Sequence, residues 1–214
     1  MSESEDTEHR RGFLKCMAWA GTGLVWTVAG GVPASVGLEA AAATRGARTF
    51  SFVQVSDSHV GFAKPAINAD ARATFREAVA KIAALPQRPD FILHTGDVSQ
   101  LSKDAEFDDA DQILKAAGVP VFHVPGEHDV LDEGNGQAFF ERYGKGATGG
   151  GWYAFDHAGV HFVALVNVLN FKAGGEGALG PEQFAWLKAD LAGRSASTPI
   201  VLFTHIPLWS LYPT

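Results

Sequence analysis

Cysteine and basic side chains are the scarce residues of this sequence. Cys16 is the single cysteine among 214 residues, which excludes a disulfide framework and a thiolate metal site. There are 17 Lys and Arg against 24 Asp and Glu, a formal net charge of −7. Proteins that bind nucleic acid or anionic membranes need a basic surface, so we expect no nucleic-acid duplex as a partner.

Internal repeats and low-complexity segments are also absent, apart from glycine-rich loops. The length allows one domain with an appendage but hardly two full domains. Hydrophobic residues make up 46% of the chain and charged residues 19%, a composition that supports a core and excludes disorder. We therefore predict one globular domain, 44–214, preceded by a segment of different character, 1–43.

The first 43 residues have the features of an export signal. After an acidic start, the run His9-Arg10-Arg11-Gly12-Phe13-Leu14-Lys15 resembles the twin-arginine signature, with His9 in place of the usual Ser or Thr. An uncharged stretch then reaches Leu38, and Ala41-Ala42-Ala43 is typical of a cleavage site. We expect the twin-arginine translocase to be a transient partner and the mature protein to be periplasmic or secreted.

An uncleaved membrane anchor is the alternative reading of the same stretch. Residues 16–38 are 23 uncharged residues, long enough to span a bilayer. Contact with a membrane is therefore expected only if the signal stays uncleaved.

Short apolar runs alternate with helical patterns in the mature chain, which indicates an α/β fold with a buried sheet. The predicted strands are 49–56, 91–95, 119–124, 152–155, 160–168 and 199–204. The predicted helices are one carrying Phe75, Val79, Ile82 and Leu85, then 104–117, 137–143, and one opened by Pro181 with Phe184, Leu187 and Leu191 facing inward.

Acidic and imidazole side chains follow four of these strands directly. Open α/β sheets place ligand sites beyond the carboxyl ends of their strands, so we expect these donors to converge. Oxygen and imidazole donors suit divalent first-row metals, and the number of donors is sufficient for two ions. The candidate residues are Asp57, His59, Asp97, Glu127, His128 and His205.

The ordered motifs Asp57-Ser58-His59, Gly96-Asp97, Gly126-Glu127-His128-Asp129 and His205 resemble those of the calcineurin-like metallophosphoesterases. The resemblance implies a four-layer αββα sandwich and hydrolysis of a small phosphate mono- or diester by metal-activated hydroxide. It implies two divalent ions, Mn, Fe or Zn. The implied ligands are Asp57 and His59 for one ion, Asp97 bridging both, and Glu127 and His205 for the other, with His128 as the catalytic residue over the phosphate.

Three departures from the family pattern are visible. Gln100 stands where a second Asp is usual, and Glu127 replaces an Asn. Three carboxylates against two divalent ions leave 4 − 3 = +1, where an Asn would leave +2, so we expect tighter binding of the second ion. No Gly-His-x-His follows His205, which we interpret as truncation at the C-terminus. A non-catalytic exported module that binds metal or phosphate is therefore the alternative function.

Other polar residues have simpler interpretations. His94 and His123 lie in strands and are predicted as core histidines, with support of a ligand as the alternative. His161 is expected at the surface beside a hairpin turn. The acidic run 104–111 is expected to be a solvated helix face near a helix start.

Overall fold

Two β-sheets lie at the centre of the computed structural model, which describes residues 23–29, 32–37, 50–169 and 177–208. The strands are β1 Gly23–Ala29, β2 Val32–Gly37, β3 Phe50–Val55, β4 Phe91–His94, β5 Val121–His123, β6 Tyr153–His157, β7 Val160–Ala164 and β8 Ile200–Phe203. The helices are α1 Ala71–Ala83, α2 Asp104–Lys115, α3 Gln137–Tyr143 and α4 Pro181–Ala192, with a short 3-10 helix at Glu127–Val130.

The first sheet has the strand order β2-β1-β3-β4-β5, and the second has the order β6-β7-β8. Strands β3, β4 and β5 run parallel to one another. In the second sheet, β6 and β7 form the predicted antiparallel hairpin and β8 runs parallel to β7. The predicted strands and helices of the mature chain are all confirmed, with ends within a few residues of the expected ones.

Aromatic side chains fill the space between the two sheets. Phe52 and Phe91 from the first sheet meet Phe162 from β7 edge to face, with ring centroids 5.4 and 5.3 Å apart. These rings are buried, and Phe203 of β8 joins the same cluster. Alternation along β3 sends Phe52 into this layer and the neighbouring Val53 to the opposite face.

The opposite face of the first sheet carries helices α1, α2 and α3. Helix α1 begins after Asp70, whose side chain accepts a hydrogen bond from the Ala73 N–H as an N-cap. Its buried residues Phe75, Val79 and Ile82 recur at the predicted helical spacing and pack on the sheet. This layer anchors the loops that follow β3 and β4.

Helix α4 lies against the second sheet with a face different from the predicted one. Phe184 was expected to face inward but is 48% exposed, whereas Gln183 is buried. The Gln183 amide accepts from the Val166 N–H and donates to the Val166 carbonyl, at 2.7 and 2.6 Å. Two hydrogen bonds to an otherwise unpaired strand end set the rotation of the helix and turn Phe184 outward.

The prediction that His161 is a surface residue is wrong. His161 is 1% exposed, and its two ring nitrogens lie 2.8 and 2.7 Å from carboxylate oxygens of Asp156 and Asp190. Arg194 also donates to Asp156, at 3.0 Å. This cluster joins β6 and β7 to α4 and completes the αββα order of layers that the family resemblance implies.

Part of the expected export signal forms a hairpin on the first sheet. Strand β1 pairs antiparallel with both β2 and β3. The Trp26 indole N–H donates to the Gln54 side chain at 3.1 Å, and the Trp26 ring stacks on Phe52 with centroids 6.2 Å apart. The twin-arginine run and the cleavage pattern lie outside the described residues, so the signal stays a prediction. Among the residues that are described, no helix is long and apolar enough to span a bilayer.

Candidate metal centre

The candidate donors lie together at the carboxyl ends of the parallel strands. Asp57 and His59 follow β3, and Asp97 follows β4. Glu127 and His128 lie in the 3-10 helix after β5, and His205 lies two residues beyond β8. Because β3, β4 and β5 are parallel and adjacent, their carboxyl ends share one edge of the sheet, as the sequence predicts.

Short distances connect the five predicted ligands into one cluster. His59 Nε2 lies 3.7 Å from Asp57 Oδ1 and 3.4 Å from Asp97 Oδ2. His205 Nε2 lies 3.6 Å from the same Asp97 Oδ2 and 2.9 Å from Glu127 Oε2. The same oxygen of Asp97, Oδ2, therefore lies close to the Nε2 atoms of both His59 and His205.

Asp97 is also the member shared by two sets of three donors. The ligand atoms of His59, Asp97 and His128 lie within 4.8 Å of one another, and so do those of Asp57, Asp97 and His205. The shared carboxylate agrees with the bridging role expected for Asp97. The other donors are grouped differently from the expected pairing of Asp57 with His59, and the ligands of each separate ion stay a prediction.

The donors have the chemistry and spacing that a divalent first-row ion requires. With metal–ligand distances of about 2.0–2.2 Å, neighbouring ligand atoms lie about 2.8–3.1 Å apart around an octahedral ion and about 3.3–3.6 Å apart around a tetrahedral one. The Asp97 Oδ2 atom lies 3.4 Å from His59 Nε2 and 3.6 Å from His205 Nε2, which agrees with the spacing of ligands around a tetrahedral ion. The residues therefore fit the implied pair of ions.

Three of the donors adopt a backbone conformation that non-glycine residues rarely use. Asp57, His59 and Asp97 have φ values of 56°, 42° and 53°. Each such residue costs on the order of 1–3 kcal/mol and persists only where its surroundings impose it. Here the His59 N–H donates to the Asp97 carbonyl at 2.8 Å, and the Asp57 N–H donates to the Gly96 carbonyl at 2.9 Å.

Gly126 allows the loop after β5 to approach this strained segment. A Cβ at Gly126 would overlap both the carboxylate and the backbone nitrogen of Asp97. Gly96 similarly leaves no room for a Cβ, which would lie 2.6 Å from the nitrogen of Gly126. The two glycines are required because the backbones of the two loops touch.

Asp129, which the sequence analysis did not select, fixes the two loops to each other. It is fully buried, and its carboxylate accepts backbone hydrogen bonds from Val98, Ser99 and Gly126 at 3.0, 2.8 and 3.0 Å. Burial raises the pKa of Asp129, while these hydrogen bonds oppose the rise. Its position at the end of the Gly126-Glu127-His128-Asp129 motif was the available signal.

Backbone groups hold the His128 ring. His128 Nδ1 lies 2.7 Å from the Gln100 carbonyl, which can only accept, so Nδ1 carries the proton and Nε2 is left for a ligand or substrate. The Ser102 hydroxyl donates to the His128 carbonyl at 2.9 Å. The His128 N–H donates to Asp97 Oδ1 at 2.9 Å, and its ring meets that of His59 edge to face.

The prediction that the acidic run 104–111 is wholly solvated is wrong at Glu106. This side chain is buried, and its Oε2 accepts from the N–H groups of Gln100, Leu101 and Lys103 at 3.2, 2.7 and 3.4 Å. Glu106 therefore closes the loop that contacts His128. Its neighbours Asp104 and Asp108 are exposed, as expected for a helix start.

Asn167 fixes the loop that carries His205. Its side-chain amide donates to the Ile206 carbonyl at 2.7 Å, and its oxygen accepts from the Ile206 N–H at 3.3 Å. On the other side, His205 Nδ1 lies 2.7 Å from the Thr95 carbonyl, so this nitrogen donates and Nε2 faces the carboxylates. Asn167 lies beyond the observed end of β7 but inside the predicted strand 160–168, so the strand-end rule did not select it.

The carboxylates and His205 shift one another's ionisation. Burial, together with the charges of Glu127 and Asp129, raises the pKa of Asp97 to about 7 against the attraction of His205. Burial alone would lower the pKa of His205, but the carboxylates of Glu127, Asp97 and Asp57 outweigh it and raise the pKa to about 10. For Asp57 and Glu127, burial is outweighed by the histidines, and both pKa values are lowered. The cluster is an anionic site that favours cations.

An αββα sandwich with carboxylate and imidazole donors at its strand ends defines the metallophosphoesterase class of folds. The family model described as calcineurin-like phosphoesterase matches residues 50–213. The chain belongs to this family.

Two known proteins are similar in sequence to parts of this chain. A probable glycerophosphodiester phosphodiesterase of Arcobacter nitrofigilis is 26% identical over 165 residues, covering 72% of this chain and 56% of that protein. Purple acid phosphatase 23 of Arabidopsis thaliana is 32% identical over 100 residues, covering 42% of this chain and 20% of that protein. The chain thus spans about half the length of the first relative and about a fifth of the second.

Solved structures show the same fold. A dimetal phosphatase from Danio rerio superposes with a TM-score of 0.60 at 17% identity, covering 75% of this chain and 71% of that chain. Purple acid phosphatase PPD1 from yellow lupin, Lupinus luteus, superposes with a TM-score of 0.51 at 16% identity, covering 72% of this chain and 32% of that chain. The predicted fold class is confirmed.

Proposed function

We propose that this chain carries the metal centre of an exported phosphoesterase that hydrolyses small phosphate mono- or diesters. The observation that supports the proposal best is the position of Asp97, whose Oδ2 lies 3.4 Å from His59 and 3.6 Å from His205. One carboxylate between two imidazoles is suited to bridging two cations. The family and the name of the first relative, a phosphodiesterase, support an ester of phosphoric acid as substrate.

Asp57, His59, Asp97, Glu127 and His205 would hold two divalent ions, Mn, Fe or Zn. When bound, such ions neutralise phosphate charge and lower the pKa of water, so that a nucleophile is available near neutral pH. Two divalent ions would outweigh the charge of the three carboxylates, so the site would be locally positive and could accept an anionic substrate although the chain has a net charge of −7.

His128 would contact the substrate phosphate. Its Nδ1–H is held by the Gln100 carbonyl at 2.7 Å, so the ring is oriented before a substrate binds. The remaining nitrogen, Nε2, would donate a proton to the developing charge or to the leaving oxygen when the ring is protonated. Glu106 and Ser102 support this role because they fix the loop that holds the ring.

Hydrolysis of model esters tests the proposal. The full chain, loaded with Mn²⁺, Fe²⁺ or Zn²⁺, should hydrolyse p-nitrophenyl phosphate, bis(p-nitrophenyl) phosphate or a glycerophosphodiester. Asp97→Asn should lower kcat/KM by at least about 100-fold, because it removes one charge from the shared ligand. Asp109→Asn is the matched control, since Asp109 pairs with Arg72 on the surface and should leave the rate unchanged.

A metal-loaded chain that cleaves none of these esters would refute the proposal. Stoichiometric metal binding without any turnover would instead support the alternative, an exported module that binds metal or phosphate. Activity that survives Asp97→Asn would remove the assignment of the shared carboxylate.

Export by the twin-arginine route is part of the proposal. Replacing Arg10 and Arg11 together by Lys should retain the protein in the cytoplasm, because the route is specified by the paired arginines. Fractionation of cells that express either form measures this outcome. Continued export of the Lys variant would remove the signal assignment.

A further inference from the structure

The hydroxyl of Ser58 is held on two sides between the candidate ligands Asp57 and His59. Ser58 Oγ donates to the Val98 carbonyl at 3.1 Å and lies 3.0 Å from Nε2 of His94. A hydroxyl has one proton, and the carbonyl uses it. His94 must therefore donate from Nε2 to the Ser58 oxygen.

The His94 ring lies in the core of the domain, among other aromatic rings. The ring is fully buried. Phe75 lies edge-on to it with ring centroids 5.8 Å apart, and His123 stacks on it with centroids 5.8 Å apart and an angle of 18° between the two ring planes. The ring of Tyr143, in α3, stacks on His123 with ring centroids 4.0 Å apart. Burial also lowers the pKa of His94 to about 3, so the ring is neutral at physiological pH.

The segment that His94 reaches through Ser58 is the strained one. Asp57 and His59, on either side of Ser58, both have positive φ. Backbone hydrogen bonds fix Asp57 and His59 to the loop after β4, and the Ser58 hydroxyl adds a side-chain hydrogen bond to the Val98 carbonyl of the same loop. Releasing this contact would let the turn relax and change the direction of both donors.

We propose that His94 is a positioning residue of the metal centre, which through Ser58 holds the Asp57–His59 turn so that both side chains are directed at Asp97. The proposal rests on the proposed function, because it concerns ligands of the same ions. An ordinary core histidine would affect folding stability alone. A positioning residue must also affect the affinity of the site for a metal ion.

Binding of Mn²⁺ to the metal-free full chain, measured by isothermal titration calorimetry, separates the two roles. His94→Leu should raise the Kd for Mn²⁺ at least about tenfold, the usual effect of losing a residue that supports a ligand. Ser58→Ala should raise it similarly and creates little space, so it tests the same contact if His94→Leu does not fold. His94→Gln, whose amide can still donate, should stay within about threefold of the wild type.

His123→Leu is the matched control. His123 belongs to the same stack of rings, but its Nε2 has no hydrogen-bond partner among the described residues. This variant should lower the melting temperature and leave the Kd for Mn²⁺ unchanged. The double variant of Ser58 and His94 should bind no more weakly than Ser58→Ala, because the loss of the Ser58 hydroxyl already breaks the contact with His94.

The outcomes separate this proposal from the proposed function. If the wild type binds Mn²⁺ and hydrolyses esters while His94→Leu and Ser58→Ala keep wild-type affinity, the positioning role is wrong and the function stands. If His123→Leu weakens binding as much as His94→Leu, the effect is structural and the positioning role is again wrong. A wild type that binds no Mn²⁺ overturns the proposed function and this proposal with it.

Discussion

Acid should destabilise the folded protein through His94. The ring is fully buried, and burial lowers its pKa from 6.5 to about 3. Between these two values the unfolded chain binds a proton that the folded chain excludes. The contribution of His94 to stability is therefore complete above pH 6.5 and is lost progressively as the pH falls toward 3.

The size of the effect follows from the shift. Each pH unit within this window costs about 1.4 kcal/mol, so lowering the pH from 8 to 4 should remove about 3 kcal/mol of folding free energy at this one residue. His94→Leu has no proton to exclude. The stability difference between wild type and variant should therefore shrink by about 3 kcal/mol over that range, although the variant is the less stable protein at pH 8.

Urea unfolding of the metal-free proteins at pH 8 and pH 4, followed by tryptophan fluorescence, measures both differences. EDTA in all samples removes the contribution of bound metal, which would otherwise stabilise the wild type by mass action. Taking the difference between the two proteins cancels the titration of the carboxylates that they share. A difference that stays constant within about 1 kcal/mol would refute the reasoning, because it would mean that the His94 ring is free to take up a proton.

Three further predictions concern the loops of the metal centre. Glu127→Asn removes a charge from the cluster and should raise the Kd of the more weakly bound Mn²⁺ about tenfold in calorimetry; unchanged metal content and rate would count against the ligand assignment. Gln100→Ala should keep kcat/KM within about threefold, because the backbone carbonyl holds His128 at 2.7 Å; a 100-fold loss would transfer that role to the side chain. Gly126→Ala should lower the melting temperature by at least about 3 °C, because the added Cβ overlaps the carboxylate of Asp97. Gly193 has the same φ of −96° and open space around it, so Gly193→Ala should leave the melting temperature unchanged. Equal melting temperatures for the two variants would show that the loop can move aside.

Local patterns were sufficient to predict most of the fold. Buried strands such as Phe91–His94 are short apolar runs between turns, and the spacing of Phe75, Val79 and Ile82 repeats with the helical period. The convergence of Asp57, Asp97 and Glu127 followed from the rule that parallel strands end at one edge. These predictions needed no knowledge of distant contacts.

The residues that the sequence analysis missed depend on tertiary contacts. The burial of Gln183 in place of Phe184 is decided by the backbone of Val166, which is 17 positions away in the chain. His161 is buried because Asp156 and Asp190 lie on both sides of it. Periodicity assigns polar side chains to the surface, and it cannot identify a partner supplied by another element.

The β1–β2 hairpin uses part of the stretch of chain that the proposed export signal would occupy. Val25 of β1 is buried in the core cluster on the helix-covered face of the first sheet, and β1 pairs with β3 along its length. Translocation would require this stretch to detach from an already folded domain. A cleaved protein that begins after residue 43 would lack β1, so β3 would become an edge strand whose backbone N–H and C=O groups could pair with another strand.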